Sequence, residues 1–447
     1  MPEMKLGLFI RPCGHHIASW RHPHAHDDAG VNFDRFIHMA KTAERGLFDM
    51  LFSADTNTAW TTIETALNRQ HYVAWLEPYT LLAALAPHTK HIGLVCTRST
   101  SFDQPFSIAR AFATLDLICG GRAGVNVVTT GNDRSALNYS QESHLPKPER
   151  YKIAEEFCDI LKGLWDSWDA DAFVRDRETS TFFLWERMHT LNYKGKFFQV
   201  EGPLSVPRSP QGQPVLVQAG ASEEGRELAA KYADVIFGAA QDLPMAQKFY
   251  ADVKSRLARH GREHGDLKIL PGLAVTVAPT QQEAQAKFDE MQNLIHPDVG
   301  LALLSRRIGH DLTKMDPDAL MPALPHNDNV GTRSGQMIEL AQREKWTLRQ
   351  LYQHFSATRG HMVVVGTPEK VVDVMQEWFE NGACDGFNIL PPMFPDDLES
   401  FVDLVVPELQ RRGLFRKQYE GKTLRENLGL KEPKSRYDTG SGVRAAE

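Results

Sequence analysis

The feature that most constrains this chain is an alternation of short apolar runs with longer amphipathic stretches. Eight runs read as buried strands: KLGLFI (5–10), FDMLFSAD (48–55), HIGLVCT (91–97), GRAGVNVVTT (121–130), VLVQAG (215–220), ADVIFG (233–238), KILPGLAVTVA (268–278) and DGFNIL (385–390). Each has a helical partner in the 3.6-residue pattern, over 33–46, 77–86, 107–119, 150–165, from Ser222 onward, 244–260, 281–294 and 368–381. Near-continuous apolar strands separated by helices pair in parallel through right-handed crossovers. Eight such units fit a closed (β/α)8 TIM barrel better than an open doubly wound sheet.

Two long stretches interrupt the alternation. Residues 166–214 hold aromatic segments such as TFFLW and KGKFFQV, which read as hairpins. Residues 295–360 mix helical and loop sequence. Insertions of this length in a compact domain serve as lids or walls over a site. From about residue 411 the chain is charged and weakly periodic, and is expected to lie on the surface or on a neighbour. The whole of 1–447 reads as one α/β barrel domain carrying these additions.

Composition removes several classes of function. With 42% hydrophobic and 24% charged residues the chain can bury a core, and a net charge of -7 argues against a general nucleic-acid or membrane-surface binder while leaving room for a local basic patch. No apolar run approaches the roughly 18 residues of a membrane helix. Cys13, Cys96, Cys119, Cys158 and Cys384 are scattered without C-x-x-C spacing, and the first residues lack the tiers of a signal peptide. A reduced, cytoplasmic protein without a structural zinc site is expected.

Barrel sites lie at the C-terminal ends of the strands. Here those ends fall at 11–16, Asp55, 97–99, 126–130, 218–222, 238–241 and 388–391. They are rich in small hydroxyl, amide and glycine residues, which suits a hydrogen-bonded cofactor more than a metal clamped by carboxylates. In QAGASEEGRELAA (218–230) a strand gives way to a helix at Ser222. Free N–H groups there suit a phosphate, and equally an ordinary N-cap with an acidic first turn. His15, His16, His22, His24 and His26 crowd a probable loop that holds Pro23, so imidazoles facing a substrate or cofactor are expected rather than a metal cage. The nucleotide fingerprints G-x-G-x-x-G at a strand end and G-x-x-x-x-G-K-[ST] are absent, as is the hydrolase elbow G-x-S-x-G.

Further motifs occur in a fixed order: SWRHP (19–23), AERGLFDMLFSAD (43–55), EPYTLLAALA (77–86), GRAGVNVVTT with NDRSALNYS (121–140), ERYKIAEEF (149–157), QAGASEEGRELAA, IGHDLTKMDPDALMP (308–322), WTLRQL (346–351), VVGTPEKVVDVM (364–375) and DGFNILPP (385–392). On these the chain resembles the bacterial-luciferase-like flavin monooxygenases, in the branch of nitrilotriacetate, EDTA, dibenzothiophene-sulfone and long-chain-alkane monooxygenases. The resemblance implies FMN, with Asp55 and Thr97 bordering its ring, Asn126 hydrogen-bonding the ring, and Tyr151, Ala221 and Ser222 holding the phosphate. It implies reduced FMN delivered by a separate flavin reductase, O2 as co-substrate, and a homodimer or homotetramer. The chain departs from the family pattern at Val125, where tryptophan is common, at Lys147 beside the phosphate, where the branch has histidine, and at His310, where a small apolar residue is usual.

Substrate choice is expected from the loops. Trp60 and Trp185 could stack on a planar compound, giving a heteroaromatic substrate such as a tricyclic sulfone or a flavin as the first reading. Arg98, Arg306, Arg307 and Arg333 could instead hold carboxylates, giving an aminopolycarboxylate as the second. A deazaflavin-dependent reductase or a non-catalytic flavin binder is the reading from another class. His16 and His310 are the candidates for acid–base work.

Overall fold

In the computed structural model, which describes residues 3–60, 64–322, 338, 341–358 and 360–438, eight parallel strands close on themselves. In chain order the strands are β1 (Lys5–Phe9), β2 (Met50–Ser53), β3 (Gly93–Ser99), β4 (Ala123–Val128), β5 (Val215–Gln218), β6 (Val235–Gly238), β7 (Lys268–Val277), β8 (Met362–Gly366) and β9 (Gly386–Ile389). The barrel runs β1 to β7, then β9, which pairs back onto β1 with Lys5 beside Gly386. All eight expected strands are present. The ninth, β8, was not expected: it lies outside the closed ring and pairs only with the C-terminal half of β7, Met362 beside Leu273.

The main helices are α1 (Phe33–Arg45), α2 (Pro78–Leu85), α3 (Pro105–Ile118), α4 (Lys147–Trp165), α5 (Glu223–Tyr232), α6 (Leu243–Arg256), α7 (Gln281–Asn293), α8 (Pro297–Ile308), α9 (Leu348–Thr358) and α10 (Pro368–Glu380). Local sequence sets their starts. Thr280 and Glu283 form a capping box at α7, and Thr367 caps α10 with Pro368 in its first turn. Strand side chains alternate between two cores. Leu6, Leu8, Leu94 and Cys96 point outward to the helices, while Phe9, Phe52, Val95, Val217 and Leu270 fill the barrel.

Residues 166–214 carry a short antiparallel hairpin, Tyr193–Lys194 with Gln199–Val200. In the second interruption, α8 and α9 pack with Ile17, Ala18 and Tyr72 as a separate apolar layer beside the mouth of the barrel. The arm differs from expectation. Over 423–430 it does not lie on the surface: Leu424, Leu428 and Leu430 join the core inside the barrel with Phe9, Met50 and Val95. Its charges are met at the same end, Arg416 by Asp49 and Arg425 by Asp234. The rest of the arm's charges, Lys417, Glu420, Lys422 and Lys431 among them, are exposed, which is why its composition reads as a surface segment.

Candidate functional site

At the C-terminal ends of β1 to β6 lies a cavity of about 360 Å³. Strand alternation decides which residues reach it. On β3 and β4, Thr97, Asn126 and Val128 face inward, and their neighbours Arg98, Val125 and Val127 face outward. The Asn126 amide donates to the Thr97 hydroxyl at 2.8 Å, and that hydroxyl donates to the Ser53 carbonyl at 3.1 Å. This relay fixes the Asn126 side chain and leaves its Oδ1 buried without a partner, on the cavity wall. Gln218 Oε1, at the end of β5, is a second buried acceptor in the same position. Each such orphan costs about 1–3 kcal/mol until something donates to it. Asp55 lines the same wall, accepts from the Thr56 N–H at 2.7 Å, and has its carboxyl pushed above the usual range by burial.

The other end of this cavity is the β5–α5 turn. Ser222 caps α5, accepting from the Gly225 N–H at 3.3 Å and donating to the Tyr151 hydroxyl at 3.3 Å. Glycine is required here by close approach: a Cβ on Gly220 or Gly225 would stand 3.2 or 3.0 Å from the Tyr151 oxygen. The result is a cradle of main-chain N–H groups, a hydroxyl pair and a positive helix end, the arrangement that binds phosphate. Orphaned acceptors for a ring N–H at one end and an anion cradle at the other are what a ring cofactor with a phosphate tail needs.

A second cavity of about 160 Å³ adjoins the first across Phe9. Arg11, His15, His16 and His361 contribute its polar lining, with Ala274, Met291 and Leu390 as apolar wall. The loop after β1 is zipped to the loop after β9: His15 and His16 N–H donate to the Pro391 and Pro392 carbonyls, each at 3.0 Å. Gly14 sits at φ +124° between them, where a Cβ would strike the Pro392 oxygen. Both ring nitrogens of His16 are engaged. Nδ1 accepts from the Ala18 N–H at 3.2 Å and Nε2 donates to Gln292 at 2.9 Å. The Gln292 amide in turn donates to the Gln353 carbonyl of α9. His16 therefore ties the β1 loop to the second insertion.

The structure thus brings Asp55, Thr97, Asn126 and Tyr151 to one cavity with the Ala221–Ser222 turn at its end, and His16 to the neighbouring one. It does not bring the remaining candidates there. Lys147 opens α4 outside the cavity and pairs with Glu224 at 3.3 Å. Arg98 faces the helices, bonded to Glu77 at 2.9 Å across the Tyr79 ring. Trp60 is 45% exposed under the Arg134 guanidinium, and Trp185 is 74% exposed in a cluster with Phe183. His310 lines a surface recess with Glu64 and Asp311. Val125 packs in the outer core, so its departure from the family pattern changes helix packing and not the cavity wall. Arg306 and Arg307 are exposed on α8, and Arg333 lies outside the described residues. Sequence reasoning missed His361; the apolar run MVVVG behind Gly360 was the available signal. Among the described residues no cluster of metal-ligating side chains occurs, and no helix is long and apolar enough to cross a membrane.

A closed parallel barrel with its cavities at the C-terminal ends of the strands is the architecture of a large class of barrel enzymes. The chain belongs to the luciferase-like monooxygenase family, whose model matches residues 14–385. It is 50% identical to N-acetyl-S-(2-succino)cysteine monooxygenase of Bacillus subtilis over 97% of this chain and 98% of that one. It is 45% identical to nitrilotriacetate monooxygenase component A of Aminobacter aminovorans, over 97% and 98%. Among solved structures, a riboflavin lyase crystallised with modified FMN and riboflavin superposes with a TM-score of 0.82 at 30% identity, covering 99% of this chain and all of the other.

Proposed function

We propose that this chain is the oxygenating component of a two-component monooxygenase that uses reduced FMN and O2. The observation that carries the reading is the first cavity: an anion cradle at Ser222 and Tyr151, and buried acceptors at Asn126 and Gln218 with nothing to accept from. FMN has a phosphate for the cradle and a ring N–H for such acceptors. When bound in its reduced form, it supplies the electrons that activate O2. The protein's residues then do the rest. Ser222 and Tyr151 anchor the phosphate, Asn126 and Thr97 orient the ring, and Phe9, Phe52 and Phe237 exclude water beneath it, their centroids 5.1–5.4 Å apart. A separate flavin reductase is the expected source of reduced FMN. The designation of one relative as a component A supports this. A cytoplasmic homo-oligomer fits the five buried free thiols and the exposed aromatic cluster at Trp185.

For the substrate, the geometry favours a small carboxylate-bearing compound over a heteroaromatic one. The second cavity carries a guanidinium and imidazoles, and neither Trp60 nor Trp185 reaches it. Two relatives are named for acidic substrates.

The test is titration with oxidised FMN followed by fluorescence, wild type against Ser222→Ala. Binding weakened about tenfold by the mutation is expected from one lost anion contact. O2 uptake with reduced FMN should then yield oxygenated product from nitrilotriacetate or N-acetyl-S-(2-succino)cysteine, and little from dibenzothiophene sulfone. Absence of FMN binding, or binding of a deazaflavin in its place, would overturn the cofactor assignment.

A further inference from the structure

His361 enters the mouth by an unusual route. It precedes β8, the strand outside the closed barrel, and the register that sets Met362 beside Leu273 sets His361 beside Gly272 of β7. On the other side of Gly272 stands Asn388 of β9, itself beside Gly7 of β1. One row of the sheet therefore reads His361, Gly272, Asn388, Gly7, two polar side chains alternating with two glycines. The first gap is filled by the imidazole: a Cβ on Gly272 would stand 2.4 Å from His361 Nδ1 and 2.9 Å from Leu390. The ring lies flat on Phe237, centroids 5.3 Å apart at 15°. Phe237 lines the first cavity and His361 the second, so this pair stands where the two meet.

Asn388 is 0% exposed, and neither end of its amide has a partner. Arg11 lines the same cavity, its guanidinium within 5.0–5.2 Å of the Phe9, Tyr72 and Trp75 ring centres. Aromatic faces around a guanidinium hold it in place. An imidazole and a fixed guanidinium lining one cavity make a two-point donor set for a carboxylate.

We propose that His361 contacts a carboxylate of the substrate at the junction of the two cavities, with Arg11 as the second donor, and that β8 is the element that delivers it there. This rests on reading the second cavity as the substrate site. Gly272 is a positioning residue for it, acting through the space it leaves.

The test separates contact from packing, and substrate from cofactor. Calorimetric titration of the full chain without flavin uses nitrilotriacetate and N-acetyl-S-(2-succino)cysteine as probes. His361→Phe keeps the stack on Phe237 and removes the donors; His361→Gln keeps a donor. Binding of at least one probe should weaken about tenfold or more in His361→Phe and recover most of that loss in His361→Gln. FMN affinity should stay within about twofold in both, since neither change touches the cradle. Gly272→Ala should weaken the same probe by displacing the imidazole; wild-type affinity in a folded Gly272→Ala would count against the positioning role. Wild-type binding of neither probe, or equal binding by His361→Phe, overturns the proposal. Failure of FMN to bind the wild type would sink the cofactor assignment instead, and would leave the probe titrations readable.

Discussion

At the N-terminal end of the barrel Arg416 meets Asp49 and Arg425 meets Asp234, whereas at the mouth Asn126 and Gln218 each keep a buried amide oxygen with no partner. The first end is sealed by the chain's own arm, whose leucines pack inside the ring of strands. The second is walled by loops and by the α8–α9 layer but left chemically incomplete. Buried charges paired within one chain lock the arm in register, because loss of either partner strands the other in a dry interior. Acceptors left open cost stability in the free protein and regain it only when a ligand donates to them. Stability is thus concentrated at one end and binding at the other.

The sharpest way to break that division is Asp49→Ala. It leaves Arg416 buried without its partner and removes the acceptor for the Leu6 N–H, 2.7 Å away. A loss of about 3–5 kcal/mol in urea denaturation is expected, with FMN affinity of the folded fraction unchanged. A large change in FMN affinity at equal stability would show that the two ends are not separable.

Asp397 sharpens the comparison from the mouth. It is buried below the loop that follows β9 and accepts from the Met393 N–H at 2.9 Å, and burial pushes its carboxyl up to about 7 from 3.8. Between these values the folded chain holds a proton that the unfolded chain has released. Its contribution to stability is therefore complete below the unfolded value and is lost as pH rises toward 7. Asp397→Asn keeps the acceptor and removes the titration. Its melting temperature should exceed that of the wild type above neutral pH and converge with it in mild acid. Parallel curves across that window would refute the assignment.

The smallest effect is expected at Lys147. Its pair with Glu224 is half exposed, so Lys147→Ala should cost less than about 1 kcal/mol. FMN affinity should change less than about twofold, measured in the same titration as Ser222→Ala. A tenfold loss would return Lys147 to the phosphate site.

How much of this was legible follows the range of the interactions. The eight barrel strands and their helices announce themselves in local periodicity, and the Ser222 turn in the switch from strand to helix. The strand MVVVG was harder, because a short apolar run ahead of a Thr-Pro helix start carries no alternation. The arm was harder still: Leu424, Leu428 and Leu430 show no period that names their partners, which lie hundreds of residues earlier. Arg98 and Val125 face away from the cavity for a reason the sequence contains. If Thr97 and Asn126 face inward, the two-residue period sends their neighbours outward. His361 needed the tertiary row, since nothing local pairs it with Gly272.

The pairing of β1 with β9 has a consequence for biosynthesis. Lys5 waits for Gly386, some 380 residues later, before the ring can close. At roughly 5–20 residues per second that interval is about 20–75 s. The plug comes later still. Throughout translation the nascent sheet has an open apolar seam and two unpaired edges, the state in which parallel sheets are most prone to aggregate. Yield of soluble protein should therefore depend on the pace of synthesis and on chaperone supply more than on the stability of the finished barrel.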